Sequence, residues 1–317
     1  MDLRDRIVDY IKAVKQETNL AYDWLLKKAG ISRSRFYDWC KRYGKSNEHN
    51  GKIPRDHWVT PEEVELIIQW FTKHPFDGYR RCCYMMMDAD IVAVSPATTY
   101  RVLSNAGLLN NRKVHPSKKG TGFVQPLKAH DDWHIDISYI NCSGTFYYLC
   151  SVLDGFSRSI IHYELKEQMK EADVELIIQR ALEKHTDVHP KIISDNGPQF
   201  IARDFKDYIR LAGMTHVRTS PYYPQSNGKL ERYHKSIKTE CIRPKCAETK
   251  EEAEQNIEEF VQYYNNKRLH SAIGYITPKQ MLDGQQQSIF KQREIKLATA
   301  RAMRKQKRID KVNSEKS

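Results

Sequence analysis

Three carboxylates stand out because each occupies a position that could serve chemistry rather than folding. Asp136 lies in the middle of WHIDISYI, an alternating segment that predicts a strand, and Asp is disfavoured inside strands. Asp195 ends the short apolar run KIIS, just before an Asn-Gly turn. Glu231 lies among basic residues at the foot of a predicted helix that follows PYYPQSNG. Ligands commonly bind at strand ends of α/β sheets, so Asp195 is well placed for a site.

Carboxylates that converge on one place repel each other unless divalent cations neutralise them. Carboxylate oxygens and water are the ligands that Mg²⁺ and Mn²⁺ prefer. Two such ions roughly 3.5–4 Å apart activate an attacking oxygen and stabilise a leaving one across a phosphodiester. We therefore expect Asp136, Asp195 and Glu231 to be catalytic metal ligands for two Mg²⁺ (or Mn²⁺) ions, with Asp136 bridging them.

Each acid also has an ordinary explanation. Asp195 could simply form the turn, and Asp136 could be an acid on a solvent-facing strand. Glu231 could stabilise its helix, because a carboxylate in the first turn interacts favourably with the helix dipole.

The elements needed to bring the three acids together can be read from residue 131 onward. Three strands (WHIDISYI, TFYYLCSVLD and SIIHYEL) form an antiparallel meander, followed by the helix KEADVELIIQRALEKH. A buried strand KIIS, a helix, the strand MTHVRTS and a further helix complete the order β-β-β-α-β-α-β-α. This order predicts an α/β RNase H-like catalytic core, a mixed five-stranded sheet with helices, in which the first and fourth strands are neighbours. Asp136 would then lie beside Asp195.

The first 110 residues predict all-α, tandem helix-turn-helix units in front of this core. In LLKKAGISRSRFYDWCKRY, Gly30 ends one helix and Ser32 or Ser34 caps a basic second helix. In TPEEVELIIQWF, Thr60 and Glu63 form a capping box. A probable recognition helix then begins near Ser95, and the alternative to DNA binding is an ordinary helical hairpin.

Segment boundaries follow from changes in periodicity and charge. We predict helix-turn-helix domains at 1–50 and 51–110, a basic linker at 111–130, the catalytic core at 131–247, a helical C-terminal part at 248–284 and a basic tail at 285–317. Residues 1–125 carry 21 Lys/Arg and 14 Asp/Glu, residues 126–284 carry 21 and 23, and residues 285–317 carry 10 and 3. Basic flanks around a near-neutral middle indicate contact with a polyanion, although lysines can also simply maintain solubility.

The composition excludes several classes of protein. No run approaches the roughly 20 apolar residues of a membrane span, and the N-terminus lacks the pattern of a signal peptide. Seven irregularly spaced cysteines without a CxxC pair argue against a zinc ribbon or a disulfide framework. We therefore expect a reduced, intracellular protein that is not associated with a membrane.

The segments WHIDISYI, ISDNGPQF and SPYYPQSNGKLERYHKSIK together resemble the catalytic core of DDE-type insertion-sequence transposases and retroviral integrases. Asp195 and Glu231 are separated by 35 residues, as in that signature, and Lys238 lies seven residues after Glu231, where the family favours a base. The chain is most similar to the OrfB-like transposases of the third insertion-sequence family, over about residues 60–283. It lacks the His-His-Cys-Cys zinc module of retroviral integrases.

The resemblance implies a polynucleotidyl transferase that nicks DNA at the 3′ ends of an insertion sequence and joins those ends to target DNA. The implied partners are double-stranded DNA, carrying terminal inverted repeats or the target, and further copies of this chain in a dimer or larger homo-oligomer. Two alternatives remain: an RNase H-like nuclease without strand transfer, and a domesticated sequence-specific DNA-binding regulator.

The residues expected to contact DNA share a basic, aromatic or amide side chain near the site or on the helix-turn-helix units. Near the site they are Lys238, Tyr222, Tyr223, Gln225, Ser226, Asn227, Lys229, Arg232 and Lys235. On the helical units and the linker they are Arg33, Arg35, Lys41, Arg42, Arg80, Arg81, Thr98, Thr99, Arg101, Lys118 and Lys119. The two tyrosines could instead pack against the sheet edge.

Overall fold

A computed structural model describes residues 3–45, 58–109, 125–219 and 228–314 of the 317-residue chain. The chain divides into two compact units, Met1–Trp58 and Val59–Ser317. The second unit contains both the region of the predicted second helix-turn-helix and the predicted catalytic core. The finer boundaries between predicted domains stay predictions.

The first unit contains three helices around a small apolar core. These are α1 (Leu3–Thr18), α2 (Tyr22–Lys28) and α3 (Arg33–Lys41). The Ser32 hydroxyl accepts a hydrogen bond from the Arg35 backbone N–H, which confirms Ser32 as the cap of α3. Val8, Leu26 and Phe36 are almost fully buried where the three helices meet.

The second unit begins with α4 (Pro61–Lys73), α5 (Tyr79–Asp88) and α6 (Pro96–Asn105). The predicted capping box is present, because Thr60 and Glu63 each bond the other's backbone N–H. Ser95 caps α6 in the same way. The methionine-rich sequence of α5 fills the core of this helical group, where Cys82, Cys83, Met86 and Met87 are buried.

A five-stranded sheet with the strand order β3-β2-β1-β4-β5 forms the centre of the second unit. Its strands are β1 (Asp132–Cys142), β2 (Thr145–Asp154), β3 (Ile160–Lys166), β4 (Lys191–Ser194) and β5 (Thr215–Arg218). β1, β2 and β3 pair antiparallel, whereas β4 runs parallel to both β1 and β5. The predicted RNase H-like topology is confirmed, including the neighbourhood of the first and fourth strands.

Helices cover both faces of this sheet. One face packs against α7 (Glu171–Lys184), the short α8 (Pro198–Ile201) and α9 (Arg203–Leu211), through residues such as Trp133 and Ile135. The other face, which includes Ile140, packs against α10 (Gly228–Ile237) and α12 (Lys250–Asn266). Because successive side chains of a strand point to opposite faces, the even-numbered positions of β1, including Asp136, face α10.

The helix that carries Glu231 continues into an irregular segment. A π-helix at Lys238–Ile242 follows α10 directly, and the short α11 (Arg243–Lys245) follows the π-helix. After α12, a 3₁₀ turn at Ser271–Ile273 and the short helix α13 (Pro278–Leu282) complete this part of the unit. π-turns inside helices are rare and often lie at functional sites.

The last element, α14 (Gln286–Ser314), is one continuous helix of 29 residues. It corresponds to the predicted basic tail, and it packs against the helical group formed by α4, α5 and α6 rather than extending free of the unit. Within the described ranges, no helix combines the length and apolarity that crossing a membrane requires. All seven cysteines are free thiols, as expected from their spacing.

Candidate active site at the ends of two parallel strands

The pairing of β1 with β4 brings the two predicted catalytic aspartates into line. The parallel register pairs Asp132 with Lys191 and ends with His134 opposite Ile193. Asp136 lies two residues beyond the last paired residue of β1, and Asp195, directly after the end of β4, lies two residues beyond Ile193. The two aspartates are therefore equally offset from the last β1–β4 pair, on neighbouring strands that typically lie about 4.8 Å apart.

Asp136 lies next to a histidine that the sequence analysis did not single out. Its Oδ2 atom lies 3.5 Å from Nδ1 of His234 on α10, and its Oδ1 accepts a hydrogen bond of 2.9 Å from the Ile137 backbone N–H. His234 is buried, and its Nε2 atom has no hydrogen-bond partner among the residues that the structure describes. The imidazole therefore holds Asp136 from the helix side of the sheet.

Asp195 begins the turn after β4. Its Oδ1 accepts a hydrogen bond of 2.9 Å from the Gly197 backbone N–H, an arrangement typical of an Asx turn. The neighbouring Asn196 donates to the Thr219 carbonyl at 2.8 Å, which ties the turn to the end of β5. The turn-forming explanation for Asp195 is therefore correct for its Oδ1 atom.

Glu231 is exposed on α10, one helical turn before His234. Because His234 contacts Asp136, this turn of α10 faces the same edge of the sheet. Nevertheless, within the described ranges no three His, Cys, Asp or Glu side chains lie close enough together to hold a metal ion. The structure therefore places Asp136 and Asp195 on the neighbouring β1 and β4 segments, and it does not bring the three acids into a finished three-carboxylate cluster.

Two buried charged atoms lie close to Gly155, next to the first turn of α10. A Cβ atom on Gly155 would lie 1.8 Å from Asp132 Oδ1 and 3.0 Å from Lys229 Nζ. Asp132 Oδ1 and Lys229 Nζ are buried, and neither has a hydrogen-bond partner among the described residues. The position of Gly155 therefore requires glycine, and Lys229, two residues before Glu231, extends its ammonium into this buried space.

Burial changes the protonation equilibria of this pair. Removal from water, together with the nearby Arg158 guanidinium and against the opposing effect of Asp132, lowers the pKa of Lys229 to about 8. Burial also raises the pKa of Asp132, against the effect of Lys229. The two charges therefore compensate each other inside the protein, at the base of the helix that carries Glu231.

The residues predicted to contact DNA occupy different environments. In the first unit, Arg33, Arg35 and Lys41 are exposed, and Arg42 is half-buried beside Asp38. In the second unit the exposed or half-buried members are Arg80, Thr98, Arg101, Arg232, Lys235 and Lys238. These side chains are positioned to reach a ligand, and their contact with DNA stays a prediction.

Three of those predictions conflict with the structure. Thr99 is fully buried, and its hydroxyl donates to the Ser95 carbonyl at 3.3 Å, so it cannot face DNA. The Lys229 ammonium is buried, close to Gly155 and Asp132, instead of lying on the surface. Arg81 is largely buried and pairs with Asp77. Their basic or polar character serves internal contacts, which a sequence pattern does not distinguish from ligand contacts.

The remaining predicted contacts lie outside the described residues. These are Tyr222, Tyr223, Gln225, Ser226, Asn227, Lys118 and Lys119.

His234 is the residue near the site that sequence reasoning missed. Its position three residues after Glu231, on the same face of α10, was the available signal. Lys229 was noticed for its charge, but nothing in the sequence identified Asp132 as its partner.

The integrase core domain family matches the chain over residues 126–224 and again over 212–278. The transposase for insertion sequence element IS904 of Lactococcus lactis is 26% identical over 210 residues, covering 56% of this chain and 83% of the relative. Transposase InsD for insertion element IS2 of Escherichia coli is 26% identical over 230 residues, covering 66% of this chain and 74% of the relative.

Solved structures give weaker similarities. A simian T-cell lymphotropic virus intasome in complex with a PP2A regulatory subunit is 17% identical, with a TM-score of 0.46, covering 69% of this chain and 74% of the matched chain. The HTLV-2 integrase catalytic core in complex with magnesium is 18% identical, with a TM-score of 0.39, covering 49% of this chain and 98% of the matched chain. The two family matches span the described sheet, Asp136, Asp195 and α10, and the relatives are transposases. The chain therefore matches the integrase core domain family over residues 126–278, and over a larger part of its length it is similar to insertion-sequence transposases.

Proposed function

We propose that this chain is a transposase that cuts DNA at the ends of its element and joins those ends to target DNA, with Asp136, Asp195 and Glu231 as the catalytic acids. The observation that supports the assignment is the parallel β1–β4 register, whose continuation beyond the paired residues would bring Asp195 opposite Asp136. Strand ends of this kind bind ligands in α/β sheets.

The donor set is suited to a divalent cation. The two carboxylates offer hard oxygen ligands, and Asp195 keeps one oxygen outside its turn. Glu231, which the described structure leaves exposed on α10, would complete the set. Mg²⁺ or Mn²⁺, two per site, would supply Lewis acidity at the attacking and leaving oxygens of the phosphodiester.

The reaction has two balanced steps. In the first, a water oxygen bonds to the phosphorus at the end of the element, the P–O3′ bond breaks, and the freed 3′ oxygen takes up a proton. In the second, that 3′-OH attacks a target phosphodiester, forms a new P–O bond and displaces a target 3′-OH. The number of phosphodiester bonds is unchanged in the second step, so it needs no external energy source.

The protein's own residues orient the DNA and the acids. His234, with its Nδ1 atom 3.5 Å from Asp136 Oδ2, would orient that acid, and Lys229 extends its ammonium into the protein at the first turn of α10. The half-buried Lys238 and the exposed Arg232 and Lys235 lie on or directly after the same helix and would bind phosphates of the DNA ends. We also propose that joining two ends requires at least two copies of the chain.

An assay with labelled DNA carrying the terminal inverted repeats tests the proposal. With Mg²⁺, the protein is expected to nick the DNA at the end of the element and to transfer the 3′ end to a second duplex. Asp136→Asn and Glu231→Gln are expected to abolish both reactions and to retain DNA binding. Glu258→Gln, at an exposed position of α12, is the matched control that keeps both.

The outcomes separate the alternatives. Retained cleavage in Asp136→Asn or Glu231→Gln would show that the site is assigned wrongly. Nicking without joining would identify a nuclease, and binding without either reaction would identify a regulator.

A further inference from the structure

The arginines of α14 are bound to the second unit's helical group and to its integrase core at the same time. Arg293 is 5% exposed, and its guanidinium donates to both carboxylate oxygens of Asp88, at 2.8 and 2.6 Å. Asp88 is the last residue of α5. A bidentate pair of this kind fixes orientation as well as distance.

The same guanidinium also reaches the segment that follows α12. It donates to the carbonyl of Gly274 at 3.2 Å and to that of Tyr275 at 2.7 Å. Tyr275 in turn stacks on Tyr84 of α5, with ring centroids 5.0 Å apart, and the Arg293 guanidinium lies 4.7 Å from the Tyr84 ring centre. One buried side chain therefore joins α14, α5 and the C-terminal part of the integrase core.

Contacts at neighbouring turns of α14 extend the attachment. Lys296 forms an ion pair of 2.7 Å with Asp90, in the turn after α5. Arg304, also 5% exposed, donates to both Glu63 oxygens, at 2.8–3.0 Å, and to the Ala93 carbonyl at 2.7 Å. Because Glu63 caps the start of α4, α14 spans the helical group from the end of α5 to the start of α4.

From Tyr275 a continuous series of contacts leads to the helix that carries Glu231. The Tyr275 backbone N–H donates to the His270 carbonyl at 3.0 Å. The His270 ring lies 6.2 Å from that of Tyr264, and Tyr264 lies 5.2 Å from Tyr233 on α10. Movement of the helical group relative to the core would therefore have to disturb a packed path ending two residues from Glu231.

From these contacts we propose that α14 is a brace that holds the DNA-reading helical group at a set place on the integrase core, and that Arg293 thereby sets the position of the cut relative to the sequence being read. The proposal rests on the proposed function, since it concerns where that reaction occurs. Arg293 is a positioning residue, because it touches neither the acids nor the predicted DNA contacts.

The test compares full-length Arg293→Ala and Asp88→Ala with Arg301→Ala, an exposed arginine of the same helix. The substrate is an end-labelled duplex in which the terminal repeat of the element is joined to flanking DNA. The unchanged protein and Arg301→Ala are expected to cut at one position. Arg293→Ala and Asp88→Ala are expected to cut at several positions. The amount of product cut away from the main position should rise at least tenfold over that of the unsubstituted protein, while total cleavage stays within threefold of it.

Two further variants keep the result interpretable. Arg293→Lys retains the charge and loses the bidentate geometry, so intermediate spreading is expected. The double variant Arg293→Ala/Asp88→Ala is expected to spread no more than either single variant, because both remove the same contact. Cuts at one position in all variants would overturn the inference and leave the proposed function standing.

Hydrogen exchange without DNA gives an independent measurement. Arg293→Ala is expected to raise exchange at least tenfold in α5 and in residues 268–276, whereas Arg301→Ala is not. If Arg293→Ala left hydrogen exchange in those segments as it is in the unsubstituted protein, the proposed role of α14 as a brace would be wrong. This result would hold even if the unsubstituted protein cut no DNA.

Discussion

The strand-end carboxylates and the arginines of α14 are opposite cases of charge in the second unit. Among the described residues, the polar contacts of Asp136 are the Ile137 backbone N–H and one imidazole at 3.5 Å, and Glu231 is exposed. The guanidinium groups of Arg293 and Arg304 instead donate several hydrogen bonds each to carboxylates and carbonyls. Charges left with spare bonding capacity mark a ligand site, and charges that are fully paired mark structure.

The comparison also corrects an inference from net charge. The last 33 residues carry 10 basic and 3 acidic residues, which indicated contact with a polyanion. Three of those basic residues, Arg293, Lys296 and Arg304, are bound to acids of the helical group instead. A count of charges therefore overestimates the surface that is free to bind DNA.

The largest effect is expected from removing Asp195, the acid that directly follows β4. Asp195→Asn should lower cleavage and joining by about a thousandfold or more, because a metal ligand acts in every step. Rates measured on the labelled duplex, beside binding measured by gel shift, check this. The exposed Asp204→Asn on α9 should keep the full rate. A fall of less than tenfold in Asp195→Asn would place the site elsewhere.

Arg304→Ala tests whether the buried ion pair between Arg304 and Glu63 stabilises the fold. The change leaves Glu63 without its buried partner and should lower the free energy of unfolding by about 3 kcal/mol. Urea denaturation followed by circular dichroism measures the loss. Arg301→Ala, three residues earlier and exposed, should change the free energy by less than about 0.5 kcal/mol. Equal effects of the two substitutions would show that the Arg304 pair adds no stability.

His234 lies between the two cases, since it is buried but supports an acid of the site. His234→Leu should lower the cleavage rate about tenfold through a lower kcat with KM unchanged, as expected for a residue that orients a metal ligand. His234→Asn keeps a donor and should recover most of the rate. If both variants are equally slow, His234 acts through packing and not through Asp136.

The smallest expected effect concerns pH. Burial, together with the nearby arginines Arg268 and Arg158, lowers the pKa of His270 to about 3. The unfolded chain, with a pKa near 6.5, therefore binds a proton that the folded protein does not, so stability falls as pH drops below about 6.5. His270→Asn should reduce this fall between about pH 6.5 and 5, as measured by urea denaturation at each pH. If His270→Asn left the pH dependence of the free energy of unfolding as it was, His270 would not be its cause.

Local patterns predicted the elements that position the site. The alternation of apolar and polar residues predicted β1, and the capping box of Thr60 and Glu63 predicted the start of α4. The spacing between Asp195 and Glu231 matched the family signature. These signals depend on neighbours within about a helical turn or on a preserved interval, and both are visible in a single chain. The adjacency of β1 and β4 followed from the order of the elements.

Contacts between distant segments were not predictable. Arg293 and Asp88 are 205 positions apart, and Asp132 is far in sequence from Lys229. The burial of Thr99 and Lys229 depends on which face of a helix packs against the rest of the unit. Their polar side chains alone led to the prediction that both lie at the surface. Three-dimensional packing decides such cases, because it determines which polar groups lose their water.

The π-helix at Lys238–Ile242 has a consequence for the angular phase of the helix that carries Glu231. A π-turn holds one more residue than an α-turn, so the side chains after it are rotated by roughly 100° from their α-helical positions. Glu240 lies within this π-helix, nine residues after Glu231, and accepts a bidentate pair of hydrogen bonds from Arg268 at 2.6–2.8 Å. Deleting one residue there would restore a plain α-helix and rotate the following side chains relative to α12. The length of this segment therefore determines how the chain after α10 meets the rest of the unit.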